Sequence, residues 1–483
     1  MKSKHYIIAS IALGIMIAMT SCEDYLYQEP RLQQTNELSL STFDGLQKAT
    51  LGAYTPLYHP NWYGRNYIVY GDLKGGNAKI SPLNSGRFRT TYLWNATPTS
   101  APATWNEIYE LIARANNVIN AIEDGFEEAG VPREELDRLA AECKFLRALG
   151  HFDLARLYCQ PYTQGEGRDQ LGVPVVLESE LGEPERDDLG TVYDQVVTDL
   201  EDAIEGLPAV SPNEGTDPSG WATRYAAQAL LARVSLYMGE WQLAADYATS
   251  VIDNFPGRLY SAEECNTWDN GGVWGTDNAA EIIFEVYGDE GNSSHGNWDV
   301  ISYIMSPGGY GDVGASGDVV DLYGENDARK NLFTNTADYP NDYWSLKYPG
   351  KGPSGNLRED NIPVLRLSEM YLIRAEALLN GASVAGADPD SDLNAIRTRR
   401  NATPVVNATL QDVYTERRLE LCFEGHQLFD LARTGRDLER TDFDGAVNQN
   451  ISFPDYRWAM PIPQEEVDAN ANMQQNPGYI SEN

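Results

Sequence analysis

The sequence predicts a mainly α-helical protein, built from paired helices and interrupted by two long irregular loop excursions. Three observations carry this. Apolar residues recur at helical spacing across 104–160 and 191–208. An alanine-rich segment, 222–256, reads as two helices that cross closely. Two stretches, 60–103 and 257–361, break the helical pattern and are loaded with Trp, Tyr and Gly. The chain has 483 residues, 42% hydrophobic and 22% charged, both near globular averages, which argues against wholesale disorder. Asp and Glu outnumber Lys and Arg 72 to 36, for a net charge of −36. Such a charge repels a phosphate backbone, so no nucleic-acid partner is expected, nor electrostatic binding to a membrane surface. Tyr outnumbers Phe 28 to 12, with 10 Trp. That excess suits surfaces that contact something while keeping a polar tip wet.

Taken in order, the chain opens MKSKHYIIASIALGIMIAMTSCEDY. Lys2 and Lys4 form a basic start, and Ile7 to Met19 is an apolar run too short to span a bilayer. Residues 1–21 are therefore expected to be a signal peptide. The run ends Ala-Met-Thr-Ser-Cys, which resembles a bacterial lipobox with Cys22 as the lipidated first residue of the mature chain. The alternative is an ordinary secretory signal followed by a chance Cys. Glu23 and Asp24 resemble the surface-export signal of Bacteroidetes lipoproteins. A lipid-anchored, cell-surface protein of the outer membrane is expected, with no spanning segment.

Helix 104–160 has Ile108, Leu111, Ile112, Ala115, Val118, Ile119 and Ile122 on one stripe. Further on, Leu139, Cys143, Leu146, Leu149 and Leu157 repeat the pattern. Segment 191–208 is amphipathic and stops at Gly206 and Pro208. Within 222–256, Gly239-Glu240-Trp241 marks a turn and Pro256 an end, so the segment resembles a tetratricopeptide helix pair. One pair cannot bury its apolar face alone. Further pairs are read at 42–58 with 104–124, 136–160 with 191–207, 364–380 with 390–400, and 409–423 with 426–436. Two regions follow the signal: 22–255, and 256–483 with the excursion 257–361 inside it. That excursion holds 16 of the 42 Gly, four Trp and eight Tyr, a load that suits a binding loop on a rigid scaffold.

The chemical motifs point away from catalysis. There is no Gly-x-Ser-x-Gly elbow, no His-Glu-x-x-His and no phosphate loop. Asp388-Pro-Asp-Ser-Asp392 starts like a calcium loop but fails at Leu393 and Arg399. No cofactor or metal is expected. With 72 acids, a pair of carboxylates at glycosidase spacing is always available and diagnoses nothing. Arg417, Glu420 and Glu424 share a helix face and are read as structural pairs between packed helices. Cys143, Cys159, Cys265 and Cys422 are read as buried thiols, a disulfide between Cys265 and Cys422 staying open.

Three segments then match one family together: IPVLRLSEMYLIRAEALLNG (362–381), ERRLELCFEGHQLFDLARTGR (416–436) and MPIPQEEVDANANMQQNPGY (460–479). With WNEIYELIARANNVI and KFLRALGHFDLARLYCQPYT, they resemble the SusD/RagB family of Bacteroidetes outer-membrane lipoproteins. The resemblance implies about four tetratricopeptide-like pairs in a right-handed scaffold whose variable loops form a ligand surface. It further implies a SusC-type TonB-dependent barrel as partner and an oligosaccharide as cargo. One branch handles peptides instead, and a surface glycosidase is the enzyme alternative.

Pyranose rings present an apolar C–H face that stacks on Trp or Tyr, and their hydroxyls pair with Asn, Asp and Arg. The loop residues Trp94, Trp268, Trp274, Trp298 and Trp344 fit this use. The family places ligand-contacting aromatics just before the helix that starts near Trp105, which singles out Trp94 with Asn95. Asp72, Arg87 and Arg89 are further polar candidates, while Trp105, Trp221 and Trp241 sit in helical patterns and are assigned to the core.

Overall fold

The computed structural model describes residues 39–179, 182–213, 218–265, 273–276, 279–288, 298–350 and 355–479. Its helices are α1 (Phe43–Tyr54), α2 (Asn66–Gly75), α3 (Arg89–Tyr92), α4 (Thr104–Glu123), α5 (Arg133–Tyr158), α6 (Leu189–Gly206), α7 (Arg224–Met238) and α8 (Trp241–Asn254). They continue as α9 (Ile301–Met305), α10 (Gly317–Val320), α11 (Leu367–Leu379), α12 (Pro389–Arg397), α13 (Leu410–Glu420), α14 (Gln427–Arg433) and α15 (Gln464–Ala469). The architecture is mainly α with paired helices. Short antiparallel ribbons join β1 (Ala78–Ile80) to β3 (Val313–Ala315), β2 (Ile282–Val286) to β6 (Ile362–Arg366), and β4 (Phe333–Thr334) to β5 (Trp344–Ser345).

The helices stack in sequence. α1 packs on α4, α4 on α5, α5 on α6, α6 on α7, α7 on α8, α8 on α11 and α11 on α12. The apolar stripe of α4 is the buried one, with Ile108, Leu111, Ile112, Ala115, Val118, Ile119 and Ile122 all inside. α5 is enclosed from Leu139 to Tyr158 apart from Lys144, because helices lie on both sides of it. Thr223 caps α7 by accepting from the Ala226 N–H, and Gly239 ends it at φ 75°, a left-handed turn that costs glycine little. Ala226, Ala227, Ala229, Ala244, Ala245 and Ala248 are buried where α7 meets α8 and their neighbours.

Two expectations need correction. Segment 60–103 is not a loop excursion: it contains α2, every residue of which is buried. A helix enclosed on all sides has no polar face, so it shows no amphipathic period. Second, 409–423 and 426–436 do not form a packed pair of helices. α13 instead lies on α11, and α14 lies on α2. Gly71 and Gly75 permit this contact. A Cβ on Gly71 would meet the Gly425 carbonyl oxygen at 2.3 Å, and one on Gly75 the Leu428 nitrogen at 2.7 Å. The cysteines are as read: Cys143, Cys159, Cys265 and Cys422 are all buried free thiols, and the open question of a Cys265–Cys422 bond is answered in the negative.

Arg417, Glu420 and Glu424 are structural, as expected, but the three share no helix face, since α13 ends at Glu420; Arg417 pairs with Asp430 at 2.9 Å, and the two glutamates belong to a larger buried network. Arg366 pairs with Glu281 at 2.6 Å and Glu424 at 2.7 Å. Arg400 pairs with Glu420 at 2.8 Å and Glu281 at 3.1 Å. Arg329 reaches Asp327, Glu416 and Glu420 at 2.7–2.9 Å. Burial alone would raise the Glu420 carboxyl, but Arg400, Arg366 and Arg329 overrule it and hold it well below the usual range. These pairs tie the β2–β6 ribbon to α13 and the 3-10 turn after α12. Removing one partner of such a pair costs about 3–5 kcal/mol, because the other is left buried and uncompensated. The calcium-like acids also have local duties: Asp388 caps α12, and Asp392 pairs with Arg374 at 2.6 Å.

Candidate functional site

Within the second excursion, three aromatic rings form an arc at the surface. Trp298 meets Tyr303 edge-on at 5.2 Å, and Tyr303 meets Tyr310 at 5.0 Å. Trp298 is 50% exposed and Tyr310 37%. The arc rests on α9, whose Ile301, Ile304 and Met305 point into the core. The Ile301 N–H donates to the Gly64 carbonyl at 2.8 Å and so anchors the start of α9. After α9 the chain doubles back, and the Tyr310 N–H donates to the Tyr303 carbonyl at 2.8 Å. Gly309 allows that return, since a Cβ there would lie 2.4 Å from the Tyr303 carbonyl oxygen. The chain then enters β3, paired with β1.

Guanidinium groups flank the arc. Arg358 lies 5.1 Å from the Trp298 ring centre, and Arg87 4.3 Å from that of Tyr310. Arg87 is held from behind by buried Asp312, whose Oδ2 accepts from Arg87 Nη1 at 3.1 Å. Asp312 Oδ1 accepts from the Ser85 backbone and hydroxyl at 2.6 and 2.8 Å, fixing the loop that carries Arg87. Asp299 pairs with Arg65 and lies 3.8 Å from Arg87 Nε. The result is an apolar, π-rich surface with charged donors at its edge. It offers stacking and hydrogen bonding.

Of the residues singled out from sequence, Trp298 falls in this arc and Arg87 on its rim. Trp344 lies behind it: fully buried, it donates through Nε1 to the Gly311 carbonyl at 3.0 Å and supports the turn after Tyr310. Trp274 is buried against Lys347 and Arg366 and covers the charge network. Asp72 is interior, its oxygens accepting from the Phe423 and Gly425 N–H groups at 2.9 and 2.8 Å and from Asn77. Burial pushes its carboxyl up to about 6, despite those bonds. Trp94 is 2% exposed, edge-on to Trp458 at 4.9 Å, so its ring has no face open to a sugar. Asn95 and Arg89 are exposed. Trp268 and Cys22 lie outside the described residues. Sequence reading missed Tyr303, Tyr310 and Arg358. Tyr303 and Tyr310 flank Pro307-Gly308-Gly309, a turn signal that brings them together.

Among the described residues, no helix is long and apolar enough to cross a membrane, and no group of His, Cys, Asp and Glu is arranged to hold a metal ion.

This helical body with its loop-borne aromatic arc belongs to the SusD/RagB family. The SusD family model matches residues 323–479, and a SusD-like family described as starch-binding and associating with the outer membrane matches residues 24–236. A crystal structure of a SusD superfamily protein from Bacteroides thetaiotaomicron superposes with a TM-score of 0.80 at 33% identity, over 90% of this chain and 100% of that one. SusD-like protein P25 of Formosa agariphila is 25% identical over 94% of this chain and 95% of its own length. The starch-binding protein SusD of B. thetaiotaomicron is 35% identical over 125 residues, 25% of this chain and 22% of its own.

Proposed function

We propose that this chain is a surface-exposed, glycan-binding lipoprotein that captures oligosaccharides and passes them to a SusC-type TonB-dependent outer-membrane barrel. The observation that carries this is the Trp298–Tyr303–Tyr310 arc with Arg87 at its rim. Exposed rings on a rigid support stack on the C–H face of a pyranose, and the guanidinium donates to its hydroxyls. Family membership and the starch-binding description of a relative and a family model support sugar as the cargo. Asn95 and Arg89 are second-choice polar contacts. The helix pairs are read as tetratricopeptide-like units in a right-handed scaffold, presenting the arc toward the barrel mouth. Residues 1–21 are the signal and Cys22 carries the lipid. The protein binds its cargo and leaves cleavage to others.

A glycan array on the purified mature protein tests the reading, with binding of one oligosaccharide class as the expected result. Binding of peptides alone, or release of reducing ends from a bound glycan, would overturn it. Gentle detergent extraction should co-purify a far larger β-barrel protein, and Cys22→Ala should release the chain from membranes that lack that barrel.

A further inference from the structure

A second site, which shares no lining residue with the arc, surrounds a buried lysine that makes no ion pair among the described residues. Lys74, on α2, is 5% exposed, and its Nζ donates to the Arg457 carbonyl at 3.0 Å. Nζ also sits 4.2 Å from the centre of the Trp94 ring. Among the described residues, no carboxylate lies within ion-pair distance of it. Asp455 acts on Lys74 only from beyond ion-pair distance, since its carboxylate is held by Arg457 through Nε and Nη2 at 2.9 and 2.8 Å. An ammonium has three donors, and a carbonyl and an aromatic face answer only part of that need. Burial, with Arg457 nearby, pushes Lys74 down to about 7 against the opposing pull of Asp455.

Next to this lysine is a cleft of about 30 Å³, lined by Tyr70, Lys74, Thr90, Trp94, Ser100 and Tyr479 among others. That volume accepts one or two water-sized groups. Thr90 and Ser100 are exposed and form its outer edge. The Trp94 indole N–H is buried and, among the described residues, has no hydrogen-bond partner. An orphaned buried donor calls for an explanation. Trp94 is further held at φ 52°, a left-handed conformation that is strained for a bulky side chain. A buried lysine amine with no carboxylate at ion-pair distance, an orphaned N–H and an open cleft beside both have one chemistry in common: they fit an anionic acceptor small enough to enter end-on, whose charge would hold the lysine protonated.

We propose that this cleft binds a carboxylate, with Lys74 Nζ as counter-charge and Trp94 Nε1 as a second donor. The site is separate from the aromatic arc. It gives Trp94 a ligand role of a different kind from stacking, through its N–H. The carboxylate belongs either to a small free acid or to the uronic-acid unit of a saccharide.

Calorimetric titration of the intact mature protein with sodium acetate, sodium galacturonate and galactose, at matched ionic strength, tests this. Both acids should bind with a dissociation constant of about 1–10 mM, and galactose should not bind at this site. Binding of acetate alone assigns the site to small free acids, and binding of galacturonate alone to the sugar acid. Lys74→Met keeps the aliphatic stem, should fold as judged by circular dichroism, and should abolish acid binding. Trp94→Phe keeps a ring but removes the N–H and should weaken it about tenfold. No heat from either acid with the wild type, or unchanged affinity in Trp94→Phe and Lys74→Met, would overturn the proposal. Should Lys74→Met fail to fold, the wild-type and Trp94→Phe titrations decide alone. Lys74→Met should leave neutral oligosaccharide binding at Trp298 intact, so failure here is distinguishable from failure of the arc.

Discussion

Residues 60–103 carry Trp62, Tyr63, Tyr67, Tyr70, Tyr92 and Trp94, and residues 298–310 carry Trp298, Tyr303 and Tyr310. Both segments are irregular in pattern and rich in large rings. In the first, all six rings are 6% exposed or less. In the second, Trp298 and Tyr310 reach solvent. The difference comes from what each segment docks against. α2 lies flat on the 425–433 chain because Gly71 and Gly75 let backbones approach, and Trp62 Nε1 donates to Asp153 on α5 at 2.9 Å. The rings of the second segment meet one another and two arginines, above an anchored short helix. Aromatic content signals a contact to be made. The backbone approach decides whether that contact is internal.

Substitutions in the buried segment should act on stability. Trp62→Ala should lose about 3–5 kcal/mol in urea denaturation, from the cavity and from Asp153 losing a donor. The pH dependence of the same segment centres on Asp72. Its folded pKa of about 6 lies above the ordinary 3.8, so the fold favours the protonated form. The associated stability is full below about pH 4 and is lost as pH rises through about 6, by up to roughly 3 kcal/mol. Denaturation curves at pH 4, 5, 6 and 7 should show that fall in the wild type and a smaller one in Asp72→Asn. Gly71→Ala should cost about 1–3 kcal/mol, because the new methyl meets backbone. On the rim of the arc, Arg87→Gln should weaken oligosaccharide binding by about fivefold, close to 1 kcal/mol, with little change in melting temperature.

The surface helices were legible in sequence because one apolar face meets the core and the other meets water. α4 and α6 follow their predicted stripes, and α7 and α8 turn at Gly239 as expected. α2 was not legible, since it is only ten residues long, buried on every side and interrupted by Gly71 and Gly75, whereas the 26-residue α5, enclosed over most of its length, still reads as helix. The ribbons were missed because their strands are two to five residues long. Arg417, Glu420 and Glu424 announced packed charges, but the partners, Arg366 and Arg400 for the two glutamates and Glu369 for Arg417, come from distant elements that no local spacing reveals. The aromatic arc was half legible: composition pointed to the excursion and to Trp298, while the burial of Trp94, Trp274 and Trp344 is a property of tertiary packing alone.

The most direct test pairs affinity with stability for Trp298→Ala, using calorimetry against the best array oligosaccharide and a thermal melt of the same sample. The expected result is a loss of about 2 kcal/mol in binding, roughly thirtyfold, with the melting temperature nearly unchanged. Unchanged affinity, or a melting temperature that falls as for a core tryptophan, would contradict the assignment of the arc as the ligand surface.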